Sequence, residues 1–119
     1  MQRGVLVVNG EPCSVNVARC TTFIERARGL LGRPDLGASE ALWISPCASV
    51  HTFGMRYSID VIFCDFDGTV IRVVEHLEPG RIAVAAGART ACELHAGVVQ
   101  RLGIAEKDQL SFALTSGGR

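Results

Sequence analysis

The chain has 119 residues, a common size for one domain, and 48% of them are hydrophobic, which excludes a disordered tail. Twelve basic and twelve acidic residues balance to a formal net charge of zero, which argues against a nucleic-acid partner, because such a protein needs a basic surface. Five cysteines without a Cys-x-x-Cys pair predict reduced thiols and no disulfide framework. We therefore expect a single soluble domain over residues 1–119.

Two strands are predicted at the start of the chain. Val5–Val8 and Ser14–Ala18 are rich in β-branched residues, and the Asn9-Gly10 pair between them favours a tight hairpin turn with positive φ angles. The apolar run at Val5–Val8 is too short for the core of a signal peptide, and no run approaches the length of a membrane span. We therefore predict a β-hairpin, a cytoplasmic location and no membrane partner.

One strong helix signal follows. Thr22 and Glu25 have the spacing of a capping box at the start of a helix. In this motif the Thr22 hydroxyl accepts a hydrogen bond from the Glu25 amide, and the Glu25 side chain accepts one from the Thr22 amide. Apolar residues then recur on one helical face, and Gly32 with Pro34 ends the pattern. This spacing predicts a helix over Phe23–Leu31.

The rest of the chain reads as short strands separated by turn signals. One further helical turn is predicted at Val98–Leu102. These features predict a mainly β (β-rich α+β) fold, a compact antiparallel sandwich or barrel-like domain with one short helix near residues 23–31. The remaining predicted strands are Ala41–Ile44, Ile59–Cys64, Val70–His76, Arg81–Ala85, Thr90–Leu94 and Leu110–Leu114.

The string Asp65-Phe-Asp67-Gly-Thr69 matches the first motif of the haloacid-dehalogenase-like phosphatases, in which one Asp is the nucleophile and the next is an acid/base beside Mg²⁺. That motif normally opens its domain, whereas only fifty residues follow Thr69 here, too few for the alternating strands and helices of that fold. We therefore reject the phosphatase interpretation. An Asp-Gly hairpin turn between Ile59–Cys64 and Val70–His76 is predicted instead, with both aspartates bonded to turn amides.

Polar and sulfur-bearing side chains are concentrated just before that hairpin, in His51-Thr-Phe-Gly-Met-Arg56 and in Ile59-Asp60-Val61 at its first strand. With these segments the sequence resembles the DUF192 family, small bacterial and archaeal proteins without an established activity. The matching segments cover roughly residues 19–112. The resemblance implies a compact, mostly antiparallel β-sandwich or barrel-like domain with a small helix, and it leaves the function open. The segments are His51-Thr-Phe-Gly-Met-Arg56, Ile59-Asp60-Val61, Arg28-Gly-Leu-Leu-Gly-Arg33, Pro79-Gly-Arg81, Glu93-Leu94 followed by Ala96-Gly97, and Gly103-Ile104.

A ligand pocket is the leading functional hypothesis. His51, Thr52, Arg56 and Asp60, joined by Arg33, could line a concave surface whose donors suit a carboxylate or phosphate group. We therefore predict a small binding or accessory module for an anionic small molecule. The competing interpretation makes Arg56 and Asp60 a structural ion pair and lets His51 satisfy a buried carbonyl.

A metal site is a weaker alternative. Cys47, His51 and Met55 recur every four residues, and sulfur with imidazole would suit copper or zinc. This spacing converges on one face only in a helix, which Pro46 and Gly54 disfavour. We therefore expect Cys47 and Met55 to fill core space, with no metal or other cofactor.

A small hydrolase is the other alternative. His51 could activate Cys47 as a nucleophile, or act with Asp60. Cys64 is excluded from this role, because burial in the most apolar strand would make its thiol inert. The hydrolase hypothesis requires His51 within hydrogen-bond reach of a solvent-open Cys47 or Asp60.

Overall fold

The computed structural model describes residues 2–20 and 36–115 of the chain. The predicted helix over Phe23–Leu31 lies outside the described residues. Within them, no helix is long and apolar enough to cross a membrane. They form nine strands and one short helix: β1 (Gln2–Val8), β2 (Glu11–Cys20), β3 (Glu40–Ile44), β4 (Ser49–His51), β5 (Ile59–Cys64), β6 (Val70–Leu77), β7 (Ile82–Val84), β8 (Thr90–His95), α1 (Val98–Leu102) and β9 (Leu110–Leu114).

Seven strands form one sheet in the order β6-β5-β8-β3-β2-β1-β9. The predicted β-rich fold is confirmed, and neighbouring strands are antiparallel except β2 and β3, which run parallel. A parallel pair needs a crossover of a dozen or more residues, and residues 21–39 supply that length. The main sheet is therefore mixed.

Both predicted hairpins are confirmed. Asn9 and Gly10 join β1 to β2 with φ angles of 51° and 83°, the positive pair that a tight two-residue turn requires. β5 and β6 are antiparallel neighbours joined by the turn that contains Asp67 and Gly68. Local turn chemistry thus explains both connections.

The main sheet curls so that its two edge strands meet at one end. Thr69, just before β6, forms an isolated bridge with Gln109, just before β9. The amide of Val70 donates to the Asp108 carbonyl, and the Lys107 amide donates to the Val70 carbonyl, both at 2.8 Å. Because this contact is a single bridge, the sheet is barrel-like without being a closed barrel.

Core clusters lie on both faces of the curled sheet. A cluster from β1, β2, β3, β5, β6, β8, β9 and α1 fills the inside of the curl, and a second cluster on the opposite face lies under β4 and β7. Every residue of β5 is buried, which explains why this strand is apolar without alternation. Representative inner residues are Leu6, Val17, Ile62, Cys92, Leu94 and Leu110, and representative outer ones are Leu42, Ile44, Val50, Ile59, Phe63 and Ala83.

β4 and β7 form a separate two-stranded antiparallel sheet. Val50 is paired with Ala83, and both are buried against the outer cluster. The flanking pairs, His51 with Ile82 and Ser49 with Val84, are exposed on the opposite face. The chain between β4 and β5 contains no helix, as predicted, so the four-residue spacing of Cys47, His51 and Met55 does not bring them onto one helical face.

Candidate functional site

Thr52 anchors the polar segment that follows β4. Its side chain is fully buried, and its hydroxyl donates to the Glu78 carbonyl at 2.5 Å while accepting from the Arg81 amide at 2.9 Å. The Thr52 amide donates to the Arg81 carbonyl at 2.9 Å. Thr52 therefore ties the end of β4 to the turn before β7 and directs its hydroxyl at the backbone.

Asp60, on β5, is also fully buried. Its Oδ1 accepts from the His76 amide at 2.9 Å, and its Oδ2 accepts from the amides of Gly97 at 2.9 Å and Val99 at 3.1 Å. Gly97 and Val99 belong to the first turn of α1, so the carboxylate caps that helix from another element. The Asp60 carboxylate is therefore bonded to backbone amides, whereas the competing interpretation predicted an ion pair between Asp60 and Arg56.

The His76 amide is available to Asp60 because β6 contains a bulge. Ile59 pairs with Leu77 and Val61 pairs with Val74, so two residues of β6 lie opposite Asp60 alone. His76 has a φ of 53°. This left-handed conformation is typical of a bulge. Asp60 thus satisfies an amide that the regular ladder leaves unpaired.

The outward face of the small sheet carries exposed apolar side chains. Ile82 is 61% exposed, Val84 52% and Phe53 50%. The His51 ring stacks on Phe53 with centroids 5.5 Å apart and an interplanar angle of 27°. We call His51, Phe53, Ile82 and Val84 together the β4–β7 face.

Arg56 lies on the exposed part of the same segment, beyond Phe53. No hydrogen bond or ion pair joins its side chain to His51 or Asp60 within residues 2–20 and 36–115. Arg33, the fifth residue of the predicted pocket, lies outside the described residues. The predicted set therefore divides into two exposed residues, His51 and Arg56, and two buried ones, Thr52 and Asp60.

Cys47 and Met55 pack against the outer core cluster, as the alternative to the metal hypothesis predicted. The Cys47 thiol donates to the Ser49 carbonyl at 3.0 Å, and burial raises the pKa of this thiol above its usual value. Asp60 is enclosed by amides, so neither proposed partner of His51 is an open, activated group. In the described part of the chain, no three His, Cys, Asp or Glu side chains are grouped to hold a metal ion.

The turn between β5 and β6 is held by its own aspartates. Asp65 Oδ1 accepts from the amides of Asp67 at 3.1 Å and Thr69 at 3.0 Å. Asp67 Oδ1 accepts from the Thr69 hydroxyl at 2.8 Å and from the Thr69 amide at 3.3 Å. Hydrogen bonding to the Asp65 side chain, and then to Thr69, lowers the pKa of Asp67. The prediction that both aspartates bond turn amides is confirmed.

A cleft that sequence reasoning missed lies beside this turn, with a volume of about 290 Å³. Trp43, on β3, stacks there on Phe112 with centroids 6.1 Å apart. The available signal was Phe66, an aromatic residue in a turn that is otherwise polar. The cleft is lined by Arg19, Trp43, Asp65, Phe66, Asp67, Gly68, Thr90, Leu110, Ser111 and Phe112.

The family model DUF192, described as an uncharacterised ACR, matches residues 5–112. No match was found among curated proteins. A candidate transcription regulator from Sinorhizobium meliloti has a similar structure, with a TM-score of 0.79 and 21% identity over 93% of this chain and 92% of that one. A protein of unknown function from Novosphingobium aromaticivorans has a TM-score of 0.75 and 26% identity over 90% and 83%. The likeness to the regulator concerns the fold alone.

Proposed function

The chain belongs to the DUF192 family, whose function is uncharacterised, and we propose that this member is a binding or accessory module. Its ligand would be an anionic small molecule with an apolar part, held by the β4–β7 face together with Arg56. The observation that carries this proposal is the exposure of Phe53, Ile82 and Val84 beside His51. The proposal keeps the exposed residues of the predicted pocket and leaves Thr52 and Asp60 as supports.

The apolar part of the proposed ligand follows from the pairing of the two strands. Ile82 lies directly opposite His51, and Val84 lies two positions further along the same face. The inward residues Val50 and Ala83 already hold the small sheet on the core, so the fold itself does not need apolar side chains on the outer face. Contiguous exposed apolar residues on a protein surface commonly mark a binding site.

The anionic part follows from the donors at the edge of this face. Arg56 is exposed, and a guanidinium offers two parallel donors that match a carboxylate. His51 adds an imidazole donor on the adjacent strand. Glu78, on the neighbouring turn, forms an ion pair with Arg81 at 3.3 Å.

The anchors on either side of the segment support its use as a binding loop. Thr52 bonds the backbone before β7, and Asp60 bonds the bulge of β6 and the start of α1. Binding residues are often carried on loops that a rigid scaffold positions. His51, Phe53 and Arg56 are therefore presented from a segment with two fixed ends.

An NMR titration with hexanoate tests this proposal, with hexanol as the uncharged control. We expect saturable amide shifts over residues 51–56 and 82–84 with hexanoate. In Arg56→Gln, hexanoate should bind no better than hexanol, whereas Arg3→Gln, at an exposed arginine on β1, should behave like the native protein. Shifts that are equal for the two probes, or that lie elsewhere on the protein, would contradict the proposal.

A further inference from the structure

We propose that the cleft beside the β5–β6 turn is a second, separate binding site, which takes a small zwitterion with an aromatic body. The cleft lies at the end of the curl where the β5–β6 turn meets the start of β9. None of its lining residues belongs to the β4–β7 face. This site is therefore independent of the function proposed above.

The aromatic walls come from three separate parts of the chain. Trp43 on β3 and Phe112 on β9 stack across the inside of the curl, with an interplanar angle of 26°. Both side chains are half-buried, and both line the cleft. Stacked rings of this kind offer a flat surface to the ring of a ligand.

Phe66 adds a third ring at the mouth of the cleft, where it is 84% exposed. The turn does not require this residue, because Asp65 and Thr69 supply its hydrogen bonds. A large apolar side chain left in water at the edge of a cleft is poised to close over an apolar ligand. The position of Phe66 therefore points to a ligand with a ring.

The lining of the cleft carries charges of both signs. Arg19 is paired in register with Trp43, and its guanidinium donates to the Gln2 side chain at 3.3 Å. Asp65 and Asp67 line the same cleft from the β5–β6 turn. Within the described ranges, Arg19 is not within ion-pair distance of either carboxylate.

This charge arrangement selects the ligand class. A ligand with only a positive group would be repelled by Arg19, and one with only a negative group would be repelled by Asp65 and Asp67. A zwitterion can direct its carboxylate to Arg19 and its ammonium group to the turn. A volume of about 290 Å³ suits a ligand with a single ring.

Trp43 provides the measurement, because it is the sole tryptophan of the chain and lies in the cleft. Its fluorescence is followed during titration with phenylalanine, phenethylamine and 3-phenylpropanoate, which share one ring and differ in charge. We expect a saturable change with phenylalanine and binding at least about tenfold weaker for each singly charged analogue. No saturable change with phenylalanine, or equal binding of an analogue, would overturn the proposal.

Variants then assign each charge to its residue. Arg19→Gln should weaken phenylalanine binding but not phenethylamine binding, because for the cationic probe it removes only a repulsion. Asp67→Asn, which keeps an oxygen for the Thr69 hydroxyl, should weaken the binding of phenylalanine and phenethylamine but not that of 3-phenylpropanoate. If neither variant changes the binding of phenylalanine, the charge assignment is wrong.

Phe66→Ala should weaken all three probes, because it removes the ring at the mouth of the cleft without touching the core. Phe53→Ala, at an exposed ring on the β4–β7 face and outside the cleft, is the control and should leave Trp43 titrations unchanged. Thermal unfolding of each variant confirms that it is folded. A loss of phenylalanine binding in Phe53→Ala and not in Phe66→Ala would overturn the placement of this site in the cleft. The proposal for the β4–β7 face is tested separately, by the hexanoate titration.

Discussion

Asp60, Asp65 and Asp67 lie within a few residues of one another, and the carboxylates of all three accept hydrogen bonds from backbone amides. The amides bonded to Asp60 are far from it in sequence, whereas those bonded to Asp65 and Asp67 are close. Asp60 is fully buried and takes its amides from β6 and from the start of α1. Asp65 and Asp67 take theirs from their own turn. The first arrangement holds distant elements together, whereas the second closes one local loop.

The difference separates a structural carboxylate from carboxylates that a ligand could reach. A buried carboxylate whose oxygens are occupied by amides contributes to stability and has no free side for a ligand. A carboxylate in an exposed turn keeps a side that faces solvent, so it can also line a cleft. Removing a buried group that bonds distant backbone should therefore cost more stability than removing a carboxylate from the exposed turn.

Asp60→Ala should lower the free energy of unfolding by about 3–5 kcal/mol, because it leaves three amides of β6 and α1 without their acceptor. Urea unfolding measures this change. Asp67→Asn is the control in the exposed turn and should leave the urea midpoint close to that of the native protein at neutral pH. Equal losses in the two variants would remove the contrast between the buried and the exposed carboxylates.

Thr52→Val should cost about 1–3 kcal/mol, because it keeps the shape of the side chain but removes the partner of the Arg81 amide and the Glu78 carbonyl. Thr52→Ser keeps the hydroxyl and should recover most of this loss. Chemical unfolding of both variants gives the comparison. If the valine variant were as stable as the native protein, Thr52 would not be an anchor.

His76→Val should cost about 1–2 kcal/mol, because a β-branched residue is strained at a φ of 53°. His76→Gly relieves that strain and should be within about 0.5 kcal/mol of the native protein. Glu75→Val, at the adjacent exposed position of the bulge, controls for the added apolar surface. If thermal unfolding shows the glycine variant to be less stable than the valine variant, the left-handed conformation of His76 does not have the role assigned to it.

The smallest effect is expected from acid. Hydrogen bonds lower the pKa of Asp67 in the folded protein from its ordinary value of 3.8. The stability that this group contributes is therefore present above its unfolded pKa and is lost as the pH falls through the folded pKa. The stability gap between the native protein and Asp67→Asn should narrow over that range in urea titrations, and a gap that stays constant with pH would contradict this assignment.

The two hairpins and most strands could be predicted from sequence because their causes are local. Asn9-Gly10 and Asp67-Gly68 set the turn geometry, and apolar runs such as Ile59–Cys64 identify buried strands. β4 was missed, because a three-residue strand with one buried side chain leaves little pattern. The parallel pairing of β2 with β3 also has no local signal.

The candidate sites were less predictable, for the same reason. Among the predicted pocket residues, the sequence identifies His51 and Asp60 equally well as polar groups, but only long-range packing decides that one is exposed and the other is enclosed. The cleft depends on Arg19, Trp43 and Phe112, which come together only when the sheet curls. Sequence spacing carries no information about that juxtaposition.

Taken alone, the sequence determined the β-rich class, the turns and the family, because φ preferences and apolar patterning act over a few residues. The tertiary structure decided what the polar residues do. Strand register and the curl of the sheet decide whether a polar side chain lies beside a backbone amide, beside an aromatic ring or in solvent. The neighbouring amides and rings are far away in sequence.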